Sequence, residues 1–392
     1  MYVRGEAGAG LASGDSFWAV EGDATLLDAG MLVRPRLAGT AGALDGTLEV
    51  DLSSLVGDRL ERLGGGGAIP GVGPATGARD LFDLRWTASE GRRHRTVVRV
   101  DRLSVRYSAD WGAVSVGRQA VTWGGGLVFN SFDLFNPFAP SDVVRDFKVG
   151  ADMVYVDVPL RDGGLQVLAV GRRDLFSGEA TLDAASFAAL YKRRVGAWEG
   201  ALMLAEHYGE PVAGVGLDGA LGEAVWHVDG TWVRVRPDLP GGGDPEGYFS
   251  AVANVQYAWI LGGKNAYGFV EYYYNGLGTT DYPSAYRDPI RLTQLARGNV
   301  FVLGRHFAAV SVQLEWHPLL HLYFGALANL EDPSGLLQPR VWWDASEHVR
   351  MIFGLDVPFG ARGMEFGGFR LPAVEGMTRS PARAYVLATV EF

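Results

Sequence analysis

The sequence predicts an all-β protein, a transmembrane antiparallel β-barrel of about 18 strands, with 16 strands as the alternative. Apolar and polar residues alternate with the period of two that marks β-strands along most of the 392 residues. Short turns alternate with longer connections, and no apolar run approaches the roughly 18 residues that a membrane-spanning helix needs. We therefore expect residues 1–392 to form one barrel domain with short periplasmic turns and long extracellular loops.

The last strand of the chain shows the alternation most clearly. One of its faces is apolar up to the final Phe392, and Tyr385 belongs to the other face. An apolar strand with an open edge invites aggregation, and closing a barrel removes that edge. We expect this strand to close the barrel and to be recognised by the barrel-assembly machinery of a bacterial outer membrane. The apolar face carries Ala384, Val386, Ala388, Val390 and Phe392, and the other face carries Tyr385, Thr389 and Glu391.

The same alternation recurs upstream, with turns between the strands. Strands are predicted within 150–159, 248–260, 301–316, 319–330 and 347–358. Short periplasmic turns are predicted at Ser108–Gly112, Arg161–Gly164, Val195–Trp198, Leu221–Glu223, Leu261–Lys264, Trp316–Leu319 and Asp344–Glu347. Long extracellular loops are predicted at 121–148, 174–183, 236–247, 276–300 and 359–381, with a short exception at Glu331–Gly335.

The N-terminal quarter has a weaker pattern. Strands are predicted at about 2–9, 29–39 and 45–55. Residues 56–95 contain the glycine run Gly64–Gly67, two prolines and the basic patch Arg92–Arg95. This composition is typical of a large extracellular loop, although residues 81–87 have enough strand character to pair locally. The strand total depends on how residues 1–55 are used.

Composition excludes several classes of function. A net charge of −10 disfavours nucleic-acid binding. The absence of Cys excludes c-type haem attachment and thiolate metal sites in this chain. Gly214–Gly219 matches GxGxxG, but it precedes a tight turn and no helix, and His317 and His321 flank a turn. The sequence therefore predicts no cofactor, no metal site and no enzyme.

The most distinctive segment is VGRQAVTWGGGLVFNSFDLFNPFAP, residues 116–140. Its GRQ…WG…G…F…D…FNPF pattern resembles a block in a family of largely uncharacterised bacterial outer-membrane porin-like barrels. With the upstream Asp101–Leu103 and the downstream Lys148–Met153, the resemblance covers about 60 residues closely. It implies an outer-membrane barrel and implies no particular substrate.

This segment is too apolar to be a solvated loop tip. Long apolar loops must bury themselves, so the loop at 121–148, the third extracellular loop in this strand count, is expected to fold into the barrel. There it would constrict the lumen, brace the wall, or do both. The candidate constriction residues are Arg118, Trp123, Phe129, Asp133 and Asn136.

Charged residues on neighbouring strands predict a charged inner wall. Arginines and lysines between 99 and 194 would form a basic ladder facing acids such as Asp101, Asp157 and Glu271, which would set ion selectivity. The alternative is that several of them lie at the rims. A β-bulge is expected near Asp101, because the alternation breaks there. The candidate lumen charges are Arg102, Arg106, Glu315 and Asp356.

The predicted function is passive diffusion of small hydrophilic solutes across a bacterial outer membrane, with membrane lipid and those solutes as partners. One alternative is a barrel sleeve around a multihaem cytochrome partner, forming an electron conduit. Another is a transporter of hydrophobic solutes with a lateral opening, which requires an apolar lumen and an N-terminal plug.

Overall fold

The computed structural model describes residues 1–19, 23–62, 80–135, 137–174, 177–237, 246–371 and 376–392. These residues form one antiparallel sheet that closes on itself, because β1 pairs with both β2 and β20. The strands are β1 (Tyr2–Leu11), β2 (Thr25–Arg34), β3 (Arg36–Ala41), β4 (Leu44–Gly57), β5 (Arg85–Gly91), β6 (His94–Ala109), β7 (Gly112–Gln119), β8 (Ala151–Leu160), β9 (Gly163–Val170), β10 (Ser186–Val195), β11 (Trp198–His207), β12 (Glu210–Leu221), β13 (Ala224–Arg234), β14 (Gly247–Leu261), β15 (Lys264–Asn275), β16 (His306–His317), β17 (Leu320–Asn329), β18 (Ser334–Ser346), β19 (Val349–Phe359) and β20 (Ala382–Glu391).

These segments make eighteen crossings of the barrel wall, which confirms the larger of the two predicted strand numbers. Pro35 separates β2 from β3, and the two pair in succession with β4. Likewise, β5 and β7 pair with the first and second halves of β6 along the same edge, so they share one crossing.

The two rims of the barrel differ, as the sequence predicts. The chain ends and two-residue turns lie at one rim, which we call the turn rim, and the long connections lie at the other, the loop rim. Six predicted short turns agree with the structure, and the seventh lies at 347–348. The loop rim also has three short connections: the expected one at 330–333, an unexpected one at 208–209, and the turn between β5 and β6 at 92–93.

The predicted loop over 56–95 is wrong at both of its ends. β4 continues to Gly57, a short helix α1 (Asp58–Arg62) follows, and residues 85–91 form β5 in a hairpin with β6. Residues 63–79 lie outside the described part of the chain. The hairpin forms because the Thr and Val residues at 96–98 favour a strand and can pair on both edges.

Alternation separates the two faces of the wall. Val154, Phe324 and Phe353 are exposed on the outside, while Met153, next to Val154 in β8, and Glu271 of β15 are buried on the inside. A β-bulge in β6 leaves Asp101 without a partner in β4, because Glu49 pairs with Arg102 and Val50 with Val100. This confirms the predicted bulge.

The inner wall is not polar throughout. Many inward side chains of β8–β14 near the loop rim are apolar, and they form one core with the connections 120–150 and 276–305. The second of these connections carries helices α2 (Tyr282–Ala285) and α3 (Pro289–Arg297). Asp288 caps α3 by accepting hydrogen bonds from the Ile290 and Arg291 amides. Among the described residues no helix is both long and apolar enough to cross a membrane.

Candidate functional site

The connection between β7 and β8, residues 120–150, lies inside the barrel, and we call it the inner loop. Its outbound arm, residues 120–135, crosses to the inner faces of β13–β16. Its return arm, residues 137–150, follows the inner faces of β18, β1 and β2 back to β8. The two arms are held to the wall by different groups.

A buried carboxylate holds the tip of the outbound arm. Glu271 of β15, only 1% exposed, accepts hydrogen bonds from three successive backbone amides. The donor nitrogens lie at 2.6 Å (Leu127), 3.0 Å (Val128) and 2.7 Å (Phe129), and Asn254 donates a further bond at 3.2 Å. Successive amides that point at one anion form a concave anion site. The charge of Glu271 therefore fixes the backbone of this arm.

Further polar contacts fix the same arm to β13 and β14. Ser131 donates a hydrogen bond to Asp229, and Asn254 donates one to the Gly125 carbonyl at 3.0 Å. A Cβ at Gly125 would lie 2.5 Å from the His227 ring. Glycine is therefore required at 125 for this close approach.

Aromatic rings complete the packing of the outbound arm. Phe129 stacks on Tyr273 with ring centroids 4.2 Å apart, and Trp123 meets Phe135 edge to face at 5.4 Å. Phe132 is 1% exposed and lies against the inward side of β12. Burial of these rings supplies the apolar attraction that holds the loop inside the barrel.

Long polar side chains of the wall hold the return arm by its backbone. Gln338 donates to the Ser141 carbonyl at 3.0 Å and Arg340 to the Val143 carbonyl at 2.6 Å. Arg4 donates to the Val144 carbonyl at 2.9 Å. Where this arm reaches β1 and β2, Tyr2 bonds Asp146, and the Arg34 guanidinium lies 4.5 Å from the centre of the Phe147 ring.

Arg118 stands at the stem of the inner loop, in a buried cluster. It is 1% exposed and binds Asp152 with two nitrogens, at 2.9 and 2.7 Å. Asp80 lies 3.3 Å away, and burial raises the pKa of Asp80 although Arg118 and Arg99 oppose the shift. The constriction role predicted for Arg118 stays a prediction, and this paired, buried placement favours bracing.

Arginines and acids intermix on the same part of the wall. Arg34 pairs with Asp51 at 2.7 Å and with Asp101 at 2.6 Å, and Arg99 pairs with Asp80 at 3.1 Å. The expectation that the acids face the arginines across the lumen is wrong for Asp101 and for Asp157, which pairs with Arg106. The bulge explains part of this, because it turns two consecutive charged residues inward.

The other predicted constriction residues occupy different environments. Trp123 and Phe129 are buried in the packing of the outbound arm, and Asp133 pairs with Lys148, which joins the two arms. Asn136 lies outside the described residues. Their roles in constriction stay predictions.

The predicted lumen charges all face inward. Arg102 donates to the Lys148 carbonyl at 2.6 Å, and Arg106 is 40% exposed beside Asp157. Glu315 accepts from Asn265 at 3.0 Å and Asp356 from Gln338 at 2.9 Å. In the last strand, Tyr385 is buried on the inner side and Phe392 is exposed.

Sequence reasoning missed the groups that hold the inner loop. The sequence predicts Glu271 only as an acid of the charged wall, and it predicts no role for Asp229, Gln338 and Arg340. Each lies between a predicted turn and a predicted loop, in a stretch whose faces the sequence pattern does not assign. A carboxylate at mid-strand, next to a loop too apolar for water, is the signal that could have identified Glu271.

A second connection covers the inner loop from the loop rim. Glu210 of β12 accepts from Gln294 at 2.9 Å and from Arg297 at 2.8 Å, which attaches α3 to the wall. Glu365 accepts from the Leu303 amide at 2.6 Å, and burial raises the pKa of Glu365 to about 7. No cluster of three metal-ligating side chains occurs among the residues that the structure describes.

Solved barrels share this fold at low sequence identity. OccAB1 of Acinetobacter baumannii aligns with a TM-score of 0.51 and 8% identity, covering 99% of this chain and 95% of that one. OccK5 (OpdH) of Pseudomonas aeruginosa gives 0.51 and 9%, with the same coverage. A BenF-like porin from Pseudomonas fluorescens gives 0.50 and 9%, covering 99% and 96%.

These likenesses extend over the whole chain and concern its fold. No protein-family model matches the sequence, and no curated protein is significantly similar to it. The resemblance of residues 116–140 to the porin-like family therefore stays a prediction.

Proposed function

We propose that this protein is a bacterial outer-membrane porin through which small hydrophilic solutes diffuse passively. The observation that carries the proposal is the closed barrel of eighteen crossings, apolar outside and charged inside, with a loop folded into its lumen. In a membrane the outer face would meet lipid, and the turn rim would face the periplasm. A BenF-like porin is among the proteins that share the fold.

The charges of the periplasmic half suit solutes of either sign. Lys192 lies 3.3 Å from Glu199, and Arg350 lies 2.7 Å from Asp344, all of them partly exposed on the inner wall. Arg106 and Asp157 make a looser pair at 3.8 Å. Because each charge has an opposite neighbour, no wall presents one sign, and we expect weak ion selectivity.

The structure supports this function better than the two alternatives. A hydrophobic-solute transporter needs an apolar lumen, and here the inner wall carries charged groups such as Arg106, Asp157 and Lys192. A sleeve around a cytochrome needs an empty lumen, and here the inner loop and α3 occupy it. Contact of the C-terminal strand with the assembly machinery stays part of the proposal.

Planar-bilayer recording of the refolded full chain tests the function. We expect stable unitary current steps and a reversal potential close to zero under a tenfold salt gradient. Heat-denatured protein is the control. A correctly folded barrel that gives no steps would overturn the proposal, and a strongly shifted reversal potential would overturn the assignment of weak selectivity.

A further inference from the structure

A cavity of about 170 Å³ lies between the inner loop and the ends of β11–β15 near the loop rim. Its lining combines aromatic rings with polar groups, including Phe129, Tyr273, Asp133, Lys148, Thr231 and Ser250. An engineered apolar cavity of about 150 Å³ holds one benzene ring. This cavity therefore has room for a single small ring.

The charges of the lining cancel. Asp133 and Lys148 are the only Asp, Glu, Lys or Arg that line the cavity within the described ranges, and they pair with each other. The ring of His207 is hydrogen-bonded to the uncharged Ser186 and Asn299. A carboxylate solute would meet the acidic Asp133 and no cation in excess. The electrostatics of the cavity thus favour an uncharged solute.

Asp133 also has unused hydrogen-bonding capacity. The residue is 5% exposed, and its Oδ1 has no donor among the described residues, while Oδ2 binds Lys148. A buried carboxylate oxygen without a donor costs free energy. A hydroxyl group of a bound solute would supply that donor, and the buried hydroxyls of Thr231 and Ser250 offer further partners.

We propose that this cavity is a binding subsite for neutral single-ring polyols, of which a pentopyranose is the simplest. The ring's C–H face would lie against Phe129 or Tyr273, and one hydroxyl would donate to Asp133 Oδ1. This inference rests on the proposed function and names the solute class of the same lumen.

The test uses the wild-type channel and three solutes. D-xylose should interrupt the single-channel current in a saturable way. D-glucuronate carries the same ring and hydroxyls with one added carboxylate, and it should bind at least about tenfold more weakly. D-glucose has an uncharged group at that position, so it separates the effect of charge from that of size. Equal interruption by D-glucose and D-glucuronate would overturn the proposal.

A variant adds a signature that loop damage alone would not give. Asp133→Asn removes the carboxylate charge, leaves only a weaker amide-oxygen acceptor and keeps the Lys148 charge, so D-xylose affinity should fall about tenfold while D-glucuronate affinity rises. Asp142→Asn, in the same loop but outside the lining, should change neither. Parallel loss of both affinities in Asp133→Asn would overturn the assignment.

Calorimetric titration of the detergent-solubilised full chain with D-xylose measures binding at the subsite without using the channel current. Binding by a protein that gives no current steps would support the subsite and contradict the porin function. Current steps with neither xylose binding nor interruption of the current by xylose would support the porin function and contradict the subsite.

Discussion

The outbound and return arms of the inner loop are held by different kinds of group. The outbound arm puts its own backbone amides on one buried carboxylate, Glu271, and buries its aromatic rings. The return arm instead receives wall side chains on its carbonyls, and Ser141 and Asp146 remain exposed. A charge that serves three amides without water is hard to replace, whereas single contacts at a wetted surface are individually dispensable.

This difference indicates that the two arms have different structural roles. The outbound arm fixes where the inner loop lies, because it loses several bonds at once when Glu271 is lost. The return arm follows the wall through separate contacts on β18 and β1, so loss of one leaves the others in place. Three substitutions test this contrast, in order of expected effect.

Removing the carboxylate that holds the outbound arm should have the largest effect. In Glu271→Ala three amides lose their acceptor, and we expect the free energy of unfolding to fall by about 3 kcal/mol or more. The released arm should also change the unitary conductance and make it noisy. Urea unfolding in vesicles and bilayer recording measure these effects.

Glu315→Ala is the matched control, because Glu315 is an inward carboxylate of the adjacent strand that binds only the Asn265 side chain within the described part of the chain. It should alter stability by less than about 1 kcal/mol. Equal effects of the two substitutions would contradict the special role of Glu271.

Substitution at the stem of the loop should be nearly as costly. Arg118→Ala leaves Asp152 and Asp80 buried without their shared cation, and breaking such a pair costs about 3–5 kcal/mol. The partly exposed Arg106 should show the opposite profile in Arg106→Ala, with little loss of stability and a small shift of reversal potential toward cations. If Arg118→Ala shifts the reversal potential more than Arg106→Ala, Arg118 faces the ion path after all.

The return arm should respond least. Arg340→Met removes the bond to the Val143 carbonyl and should cost about 1 kcal/mol, because neighbouring contacts persist. Amide hydrogen exchange within 139–148 should rise, with unitary conductance unchanged. Arg145→Met, an exposed change in the same arm, is the control. A conductance change as large as that of Glu271→Ala would abolish the distinction between the arms.

The sequence was a good guide to the wall and a poor one to the lumen. Period-two alternation assigns each strand residue to a side, so the strands at 150–159 and 347–358 and the bulge at Asp101 follow from pattern alone. Alternation does not predict how deeply a side chain is buried or which residues it contacts. Arg118 pairs with the outward-facing Leu103 yet lies in a buried cluster, whereas Arg106 points inward and is partly solvated.

The errors at the loop rim have a similar cause. The turn at Tyr208–Gly209 is not preceded by a long polar stretch that would predict it. Tyr208 adopts a positive φ of 54°, which is uncommon for a tyrosine and is not predicted by the residue type. Residues 81–87 have strand character in the sequence, but strand β5 at 85–91 also needs the edge of β6 with which it pairs. The inward fold of the loop could be inferred from its apolar composition, but its anchors on distant strands could not.

The bulge at Asp101 determines which residues in the second half of β6 face outward. Asp101, the unpaired residue of the bulge, determines which side each later residue of β6 faces. Leu103, Val105 and Tyr107 therefore point outward, and Arg106 points inward. Asp101 is the extra residue, so loss of its codon alone would restore regular pairing with β4 and keep both faces, whereas loss of one residue between 103 and 105 would turn Arg106 outward against acyl chains. Many point replacements along residues 103–109 could be absorbed, but a one-residue frameshift in the pleat could not.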